Sequence, residues 1–196
     1  MFAPEQVALV LLAAGRARRF KGGDKLCEPF LGRPLGFHVV VALEAVPFCT
    51  RIAVVSRTML DFARLGYRVV ENRNPSLGRA RSLSRGVEAA QALGAEAVLV
   101  ALADMPRVTA THVYRLMDAA EGPGAMVASS DGVGPMAPAL FGRDHFEALL
   151  ALEDDRAGRD LIRGGRHVIA SPAELVDINT REDLEALRAL YRPARL

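Results

Sequence analysis

Apolar residues are concentrated in short continuous runs, and polar segments rich in glycine and proline separate these runs. The run at 7–14, VALVLLAA, is followed by a glycine, and this pattern predicts a strand that is buried on both faces. A similar run at 95–102 predicts a second buried strand, which we expect beside the first. Shorter runs predict further strands at 51–56, 67–71, 125–129, 137–141, 167–170 and 175–178, of which 137–141 is expected to be antiparallel.

Segments with helical spacing alternate with these runs. Residues 79–93 carry apolar positions at helical spacing and precede a glycine, and Thr109 is expected to cap a following helix. Thr180 is expected to cap the last helix, with Asp183 as its capping-box partner. Further helices are predicted at 34–46, 58–65, 144–152 and 157–163. The alternation predicts a single domain over 1–196 with an α/β fold, in which three layers (α/β/α) surround a mostly parallel sheet.

Composition narrows the class of protein. Of the 196 residues, 51% are hydrophobic and 24% are charged, as in an ordinary soluble enzyme. The net charge of +2 is too small to indicate nucleic acid as a partner. The apolar run at 7–14 is too short to cross a membrane, and no charged segment precedes it as in a secretory signal. Cys27 and Cys49 fit no metal or redox spacing, which argues against zinc and suits a reducing compartment, so a cytoplasmic location is expected.

The loop that follows the first strand concentrates glycine and positive charge. The chain has 23 arginines but two lysines, and both lysines are in this loop. Lysine is a compact charge that commonly binds phosphate, and glycine lets backbone N–H groups approach a ligand closely. The loop therefore predicts a nucleoside triphosphate site, and the alternative is a solvated loop that carries lysine by chance. Its glycines and cations are Gly15, Arg16, Arg18, Arg19, Lys21, Gly22, Gly23 and Lys25.

Two familiar phosphate-binding loops are excluded. A Walker A loop has a hydroxyl residue directly after its lysine, whereas Leu26 follows Lys25. The Rossmann fingerprint has a second glycine two residues after the first, whereas Ala17 stands at that position after Gly15. If this loop binds a nucleotide, it is therefore of a different type.

Candidate metal ligands follow the second buried strand and recur near the end of the chain. Asp104 comes directly after that strand, and it is suited to hold Mg²⁺ against a triphosphate because Mg²⁺ takes one or two protein oxygens. The alternative is an ordinary turn aspartate before proline. Asp177 and Asn179 are two positions apart and therefore lie on one face of a predicted strand, where either side chain can reach the same metal. Of the two, Asn179 is the preferred metal ligand. The alternative is that these two residues cap the last helix.

The helix predicted at 79–93 begins with hydroxyl and cationic side chains. The start of a helix can bind phosphate or contact a base edge, which makes Ser82 a candidate for nucleotide binding, with Arg79 and Arg81 adding positive charge. The alternative is an amphipathic helix with solvated arginines. Neither Ser82 nor Ser84 lies in a G-x-S-x-G motif, which excludes a serine hydrolase of that type.

Several motifs, in this order, resemble the MobA-like NTP transferase family. They are L-A-A-G-x-x-x-R-x-x-G-x-x-K followed by P-x-x-G-x-P-L at 12–35, S-L-x-x-G-V at 82–87 and L-A-D-M-P at 102–106. Because alanine precedes the first glycine, the first motif is most similar to that of the molybdenum cofactor (molybdopterin) cytidylyltransferases. The resemblance implies the Rossmann-like nucleotide-diphospho-sugar transferase fold. The chain departs from the family at Lys21, at Met136 to Pro138, at Asp154 and at Asn179, where the cytidylyltransferases usually have aspartate.

The resemblance also implies a function. It implies transfer of a nucleoside monophosphate from an NTP, expected to be CTP, to a phosphorylated acceptor, expected to be molybdopterin, with release of pyrophosphate. The alternatives are another acceptor such as a sugar phosphate, GTP as the donor, or nucleotide binding without catalysis. It implies Mg²⁺ as the cofactor and a molybdoenzyme or chaperone as the protein partner.

The family's functional residues carry over onto matching positions of this chain. Catalysis is assigned to Arg19, Lys25 and Asp104. Nucleotide binding is assigned to Leu12, Ala13, Ala14, Gly15, Arg16, Arg19, Lys25 and Ser82. Metal binding is assigned to Asp104 and Asn179.

Overall fold

A mixed sheet organises the fold in this computed structural model, which describes residues 1–15, 20, 23–74 and 78–191. The strands of these residues are β1 (Val7–Ala13), β2 (Pro29–Phe30), β3 (Arg33–Pro34), β4 (Thr50–Val55), β5 (Arg68–Glu71), β6 (Ala97–Leu102), β7 (Met126–Ser130), β8 (Pro135–Gly142) and β9 (Arg166–Ile169). Strands β2 and β3 pair as a hairpin, and the other seven form one sheet in the order β5-β4-β1-β6-β8-β7-β9. Strand β8 runs antiparallel to both its neighbours, and the other pairs are parallel. The predicted fold class and the predicted antiparallel strand are confirmed.

Strand β1 is the centre of the core. It pairs in parallel with β4 on one side and β6 on the other, so that Leu12 lies opposite both Val54 and Leu102. All of its residues are buried. This explains the continuous apolar run, because a strand that is covered on both faces has no position for an alternating polar side chain.

Helices flank the sheet, and α2 packs closely on it. The helices of the described residues are α1 (His38–Ala42), α2 (Gly78–Ala92), α3 (Ala110–Ala119), α4 (Phe146–Leu150), α5 (Asp155–Arg163) and α6 (Arg181–Ala189). A Cβ added at Gly86 of α2 would lie 2.3 Å from Cγ1 of Val10 and 3.1 Å from Cγ2 of Val54, so glycine permits this close packing. The caps predicted at Thr109 and Thr180 are confirmed. No helix among the described residues is long and apolar enough to span a membrane.

Two predicted elements are wrong, and in both cases side-chain or long-range hydrogen bonds replace the expected backbone pattern. Residues 58–65 were predicted as a helix, but only a short 3-10 turn forms, at Ala63–Leu65. The Thr58 hydroxyl donates to Asp24 at 2.5 Å and accepts from the Leu60 N–H at 3.3 Å, which competes with helical hydrogen bonds. Residues 175–178, which the structure describes, were predicted as a strand but form none.

The segment at 175–178 instead attaches to the turn after β6, where the Ile178 N–H donates to the Asp104 carbonyl at 3.0 Å. Ile178 also belongs to a second apolar cluster between the hairpin and α6. The other members of this cluster are Phe20, Phe30, Leu35, Leu184 and Leu187. The Arg188 guanidinium donates to the Pro29 carbonyl, which ties α6 to the hairpin. The last part of the described chain therefore holds residue 178 beside the first loop.

Candidate functional site

The candidate site lies where the neighbouring strands β1 and β6 end. The Ala103 N–H donates to the Leu12 carbonyl at 3.1 Å, which continues the pairing of the two strands to the edge of the sheet. A Cβ built on Gly15 would meet none of the described atoms within 4 Å, so the space above this glycine is open. The sheet thus places Leu12, a predicted nucleotide-binding residue, beside the turn of Asp104, and the predicted residues Ala13, Ala14 and Gly15 follow it directly along the chain.

Lys25 joins the first loop to this turn. Its ammonium group donates to Oδ2 of Asp104 at 2.5 Å and to the Ile178 carbonyl at 2.8 Å, and the residue is only 6% exposed. It begins a 3-10 turn whose cap, Asp24, accepts from the Leu26 N–H at 3.0 Å. The structure thereby brings together two predicted catalytic residues that are 79 positions apart. The buried ammonium supplies positive charge where a phosphate chain would need it.

Asp177 is a second carboxylate at this centre. Burial raises the pKa of Asp177, and the negative charge of Asp104 raises it further. The nearby side-chain amide of Asn179 and the charges of Lys25 and Arg79 oppose this rise in the pKa. Among the described residues, neither Oδ1 of Asp104 nor Oδ1 of Asp177 has a hydrogen-bond partner, although both atoms are buried. Lys25 is therefore paired with one of two neighbouring carboxylates, and one oxygen of each carboxylate is left unsatisfied.

These oxygens fit a hard divalent cation. Mg²⁺ prefers oxygen ligands and usually takes one or two protein carboxylates, with phosphate and water completing its shell. Within the described ranges, no group of three or more His, Cys, Asp and Glu side chains converges on one position, which is compatible with so small a protein contribution. The Asn179 Nδ2 donates to the Asp177 carbonyl at 3.4 Å. The assignment of Asn179 as a ligand stays a prediction, while Asp177 is the acidic side chain near Asp104.

Ser82 lies in the first turns of α2 but faces another side chain. It is buried, and its Oγ accepts from Nδ2 of Asn72 at 2.9 Å. Asn72 follows β5 directly, and its backbone N–H donates to the Val55 carbonyl at 2.8 Å. The hydroxyl hydrogen of Ser82 is not used in this contact, so its predicted contact with the nucleotide stays a prediction. Sequence reasoning missed Asn72, for which an amide side chain directly after a strand was the available signal.

A cleft of about 510 Å³ runs from this centre between α2, β8 and α5. Its floor is apolar and includes Val100, Phe141 and Leu149. Its rim is charged and includes Arg79, Asp131, Asp154, Asp155, Arg159 and Asp177. The Val133 and Gly134 N–H groups lower the pKa of Asp131, which keeps this part of the rim negative. An apolar floor below a charged rim suits a ligand with a ring system and ionic substituents.

Arg16, Arg19 and Lys21 lie outside the described residues. The predicted roles of Arg16 and Arg19 in nucleotide binding, and of Arg19 in catalysis, therefore stay predictions. Phe20 between them is described, and it is buried in the second apolar cluster. The guanidinium of Arg181 lies 5.0 Å from the centre of the Phe20 ring. Phe20 therefore contacts α6.

Comparison with known proteins identifies a family that matches most of this chain. The MobA-like NTP transferase domain matches residues 9–171. The purine catabolism protein PucB of Bacillus subtilis is 28% identical, covering 91% of this chain and 94% of its own length. The molybdenum cofactor guanylyltransferase of Rhodobacter capsulatus is 27% identical, covering 91% and 93%. The bifunctional protein GlmU of Rhizorhabdus wittichii is 31% identical over 96% of this chain, which spans 53% of GlmU.

Solved structures agree with the fold. A nucleotidyl transferase from Methanothermobacter superposes with a TM-score of 0.79 at 25% identity, covering 94% of this chain and 96% of that one. Rv0371c of Mycobacterium tuberculosis, solved in complex with manganese, superposes with a TM-score of 0.73 at 22% identity, covering 94% and 98%.

Proposed function

The chain belongs to the MobA-like NTP transferase family and is a nucleotidyltransferase, and on this premise we propose that it moves CMP from CTP to molybdopterin. One observation carries the proposal. The buried Lys25–Asp104 pair stands at the carboxyl ends of two parallel strands, next to unsatisfied oxygens of Asp104 and Asp177. Such a centre has the positive charge and the metal-binding oxygens that phosphate transfer uses.

In the proposed reaction, a phosphate oxygen of the acceptor attacks the α-phosphorus of CTP. The new P–O bond forms as the bond to the oxygen that bridges the α- and β-phosphorus atoms breaks, and pyrophosphate leaves with that electron pair. An ionised acceptor phosphate has no proton to remove, so catalysis depends on alignment and charge neutralisation. Lys25 neutralises charge on the phosphate oxygens, and Arg19 is proposed to add a second positive charge from the same loop.

A divalent cation fits the unsatisfied oxygens, and we propose that it is Mg²⁺. Asp104 would hold it together with Asp177 or the predicted Asn179, and when bound it neutralises phosphate charge. Lys25 already balances one of the two carboxylates. The remaining negative charge is what a cation would neutralise.

CTP and molybdopterin are supported by different parts of the chain. The alanine-containing motif from Leu12 to Gly15 supports CTP, because its small side chains resemble those of the cytidylyltransferases. The apolar floor of the cleft supports a ring-containing acceptor such as molybdopterin over a sugar phosphate, since a sugar presents hydroxyl groups on most of its surface. A molybdoenzyme or its chaperone is the corresponding protein partner, and a cytoplasmic location is part of the same proposal.

GTP is the second candidate donor. The observation in its favour is the 27% identity with a molybdenum cofactor guanylyltransferase over nearly the whole chain. The reacting centre would be the same, because Lys25 and Asp104 contact phosphate and metal and not the base. The two proposals therefore share one reacting centre, and they differ in whether CTP or GTP gives the highest rate.

The test is a pyrophosphate-release screen of CTP, GTP, ATP and UTP against molybdopterin and a set of phosphorylated sugars, with Mg²⁺ present. We expect CTP with molybdopterin to give the highest kcat/KM. Lys25→Ala should lower kcat by about 100-fold or more, the scale for loss of one electrostatic stabiliser. Arg64→Ala is the matched control, because Arg64 is an exposed cation far along the chain from the site.

Other outcomes select other functions. A highest rate with GTP, or with a sugar phosphate, would replace the donor or the acceptor in the proposal. NTP binding without pyrophosphate release, with every acceptor, would indicate a non-catalytic nucleotide-binding protein. Equal turnover by Lys25→Ala and the wild type would contradict the role of Lys25.

A further inference from the structure

Two adjacent aspartates at the start of α5 cap two different helices. Oδ1 of Asp154 accepts from the Ala157 N–H at 2.8 Å and so caps α5 itself. Oδ1 of Asp155 accepts from the Ala80 N–H at 2.7 Å, in the first turn of α2. The N–H groups of a first helical turn have no partner within their own helix. Asp155 therefore supplies, from 75 positions away, a partner that α2 lacks locally.

The backbone of α2 is shaped for this contact. Gly78 has a φ of +86°, and a Cβ built there would lie 3.0 Å from Oδ1, 3.3 Å from Cγ and 3.4 Å from Oδ2 of Asp155. A side chain at position 78 would therefore press on the carboxylate, and glycine leaves room for it. Ala80 is only 4% exposed, so loss of Asp155 would leave its N–H buried and unsatisfied. The negative charge also interacts favourably with the positive end of the α2 dipole.

This contact spans the cleft at the centre of the proposed reaction. Helix α2 packs on β1, next to the predicted nucleotide-binding residues. Helix α5 forms the other side of the cleft and carries Arg159 on its rim. The direct hydrogen bond between α5 and the start of α2 therefore limits how far the two sides can separate.

We propose that Asp155 is a positioning residue that latches α5 onto α2 and so holds the acceptor side of the cleft in register with the nucleotide side. The inference rests on the proposed function in one respect, namely that one side takes the nucleotide and the other takes the acceptor. Asp155 acts through the position of α5 and does not touch the reacting atoms. A misplacement of about 1 Å can lower a rate by about 100-fold, so a latch of this kind can affect turnover strongly.

The test compares four forms of the full chain. In Asp155→Ala the latch is absent. In Asp155→Asn an amide oxygen can still accept from the Ala80 N–H, so this variant should retain much of the effect. Asp160→Ala is the matched control, because Asp160 lies on the same helix and its ion pairs with described residues are to Arg156 and Arg163 of that helix.

The first measurement needs no substrate. Hydrogen exchange of the Ala80 amide, followed by NMR, should be at least about tenfold faster in Asp155→Ala, close to wild type in Asp155→Asn and unchanged in Asp160→Ala. Unchanged exchange in Asp155→Ala would overturn the latch, whatever the substrates prove to be. This readout therefore separates failure of the latch from failure of the proposed function.

The second measurement separates positioning from general loosening. With CTP and molybdopterin, Asp155→Ala should raise the KM for the acceptor or lower kcat by at least about tenfold, while the Kd for CTP stays within about twofold. Asp155→Asn should recover most of this loss. An equal rise in the KM for the acceptor and the Kd for CTP would overturn the proposal, because it would indicate a general disturbance of α2. If Asp155→Ala speeds exchange of the Ala80 amide but leaves kcat and the KM for the acceptor unchanged, the positioning role is wrong.

Discussion

Two buried polar clusters of this protein differ in the charge that they leave unbalanced. In one, Lys25 contacts Asp104, and Asp177 adds a second carboxylate nearby. In the other, the Ser129 hydroxyl donates to the Pro138 carbonyl at 2.7 Å and lies 2.7 Å from Nε2 of His112. Since the single hydroxyl hydrogen is used, Nε2 must carry the hydrogen that His112 donates to Ser129. The second cluster is therefore a neutral chain of hydrogen bonds.

This difference distinguishes a candidate ligand site from a structural hydrogen-bond network. Among the described residues, what the histidine cluster leaves unsatisfied is one neutral lone pair, on Nδ1 of His112. The lysine cluster leaves two buried carboxylate oxygens, and a buried charge without a partner is far more costly than a buried neutral acceptor. The histidine cluster is completed by the fold alone, whereas we propose that the lysine cluster is completed by a cationic ligand. The predictions below test this distinction.

The largest effect is expected from Asp104→Asn. The substitution removes the charge that we propose binds the cation while Asp177 remains close to Lys25, so turnover should fall by about 100-fold or more with little change in stability. Pyrophosphate release and the midpoint of thermal unfolding measure the two quantities. Asp118→Asn, which alters an exposed acid on α3, should leave both unchanged. Activity within a few-fold of wild type would contradict the assignment of Asp104.

Addition of Mg²⁺ should stabilise the wild type. At 100 times its Kd, a ligand that binds only the folded state adds about 2.7 kcal/mol to the free energy of unfolding. Asp177→Asn should reduce this gain because it removes one of the two unsatisfied carboxylates. Thermal unfolding with EDTA and with increasing Mg²⁺ checks this. The same shift in the variant and the wild type would show that Asp177 is not part of the cation site.

Ser129→Ala should affect stability and not nucleotide binding. It removes two hydrogen bonds and leaves the His112 Nε2–H and the Pro138 carbonyl buried without partners, at a cost of about 1–3 kcal/mol per group. Urea unfolding and titration with CTP measure the two properties. Thr111→Ala, at an exposed position of α3, is the control and should change neither. Weaker CTP binding in Ser129→Ala would mean that the second cluster also serves the site.

The smallest effect is a pH dependence from His112. Burial lowers the pKa of His112, Glu174 opposes this change and Arg115 adds to it. Above a pH of about 6.5 both folded and unfolded chains carry a neutral His112, so it adds no pH dependence. As the pH falls below about 6.5, the unfolded chain binds the proton first, and stability declines until the pH passes the lower pKa of the folded state.

This decline can reach at most about 1.4 kcal/mol per pH unit for one proton. Urea unfolding at pH 7.5 and pH 5 should show a smaller decline in His112→Gln than in the wild type. His167→Gln alters an exposed histidine and should keep the wild-type decline. Equal declines in all three proteins would exclude His112 as the source.

Sequence patterns predicted the elements around the site better than the contacts within it. The apolar runs located β1 and β6, and their register brought Asp104 to the predicted edge of the sheet. The predicted ligand was Asn179, whereas in the structure the half-buried Asp177, whose Oδ1 is buried without a partner among the described residues, lies near Asp104. The strand predicted at 175–178, which does not form, likewise shows that a local pattern does not specify long-range contacts. A short apolar segment resembles a strand, but whether it joins a sheet depends on free edges elsewhere in the fold.

Local sequence patterns were sufficient to predict three features, namely the fully buried β1, the caps at Thr109 and Thr180, and the placement of Asp104 directly after a strand. Each follows from apolar periodicity or from a side chain that bonds to its own helix. In contrast, the contacts of Lys25 with Asp104 and Ile178 depend on the packed fold, as does the hydrogen bond by which Asp155 caps a helix 75 positions away. Spacing along the chain carries no information on such pairs, because packing of the sheet and its helices brings them together.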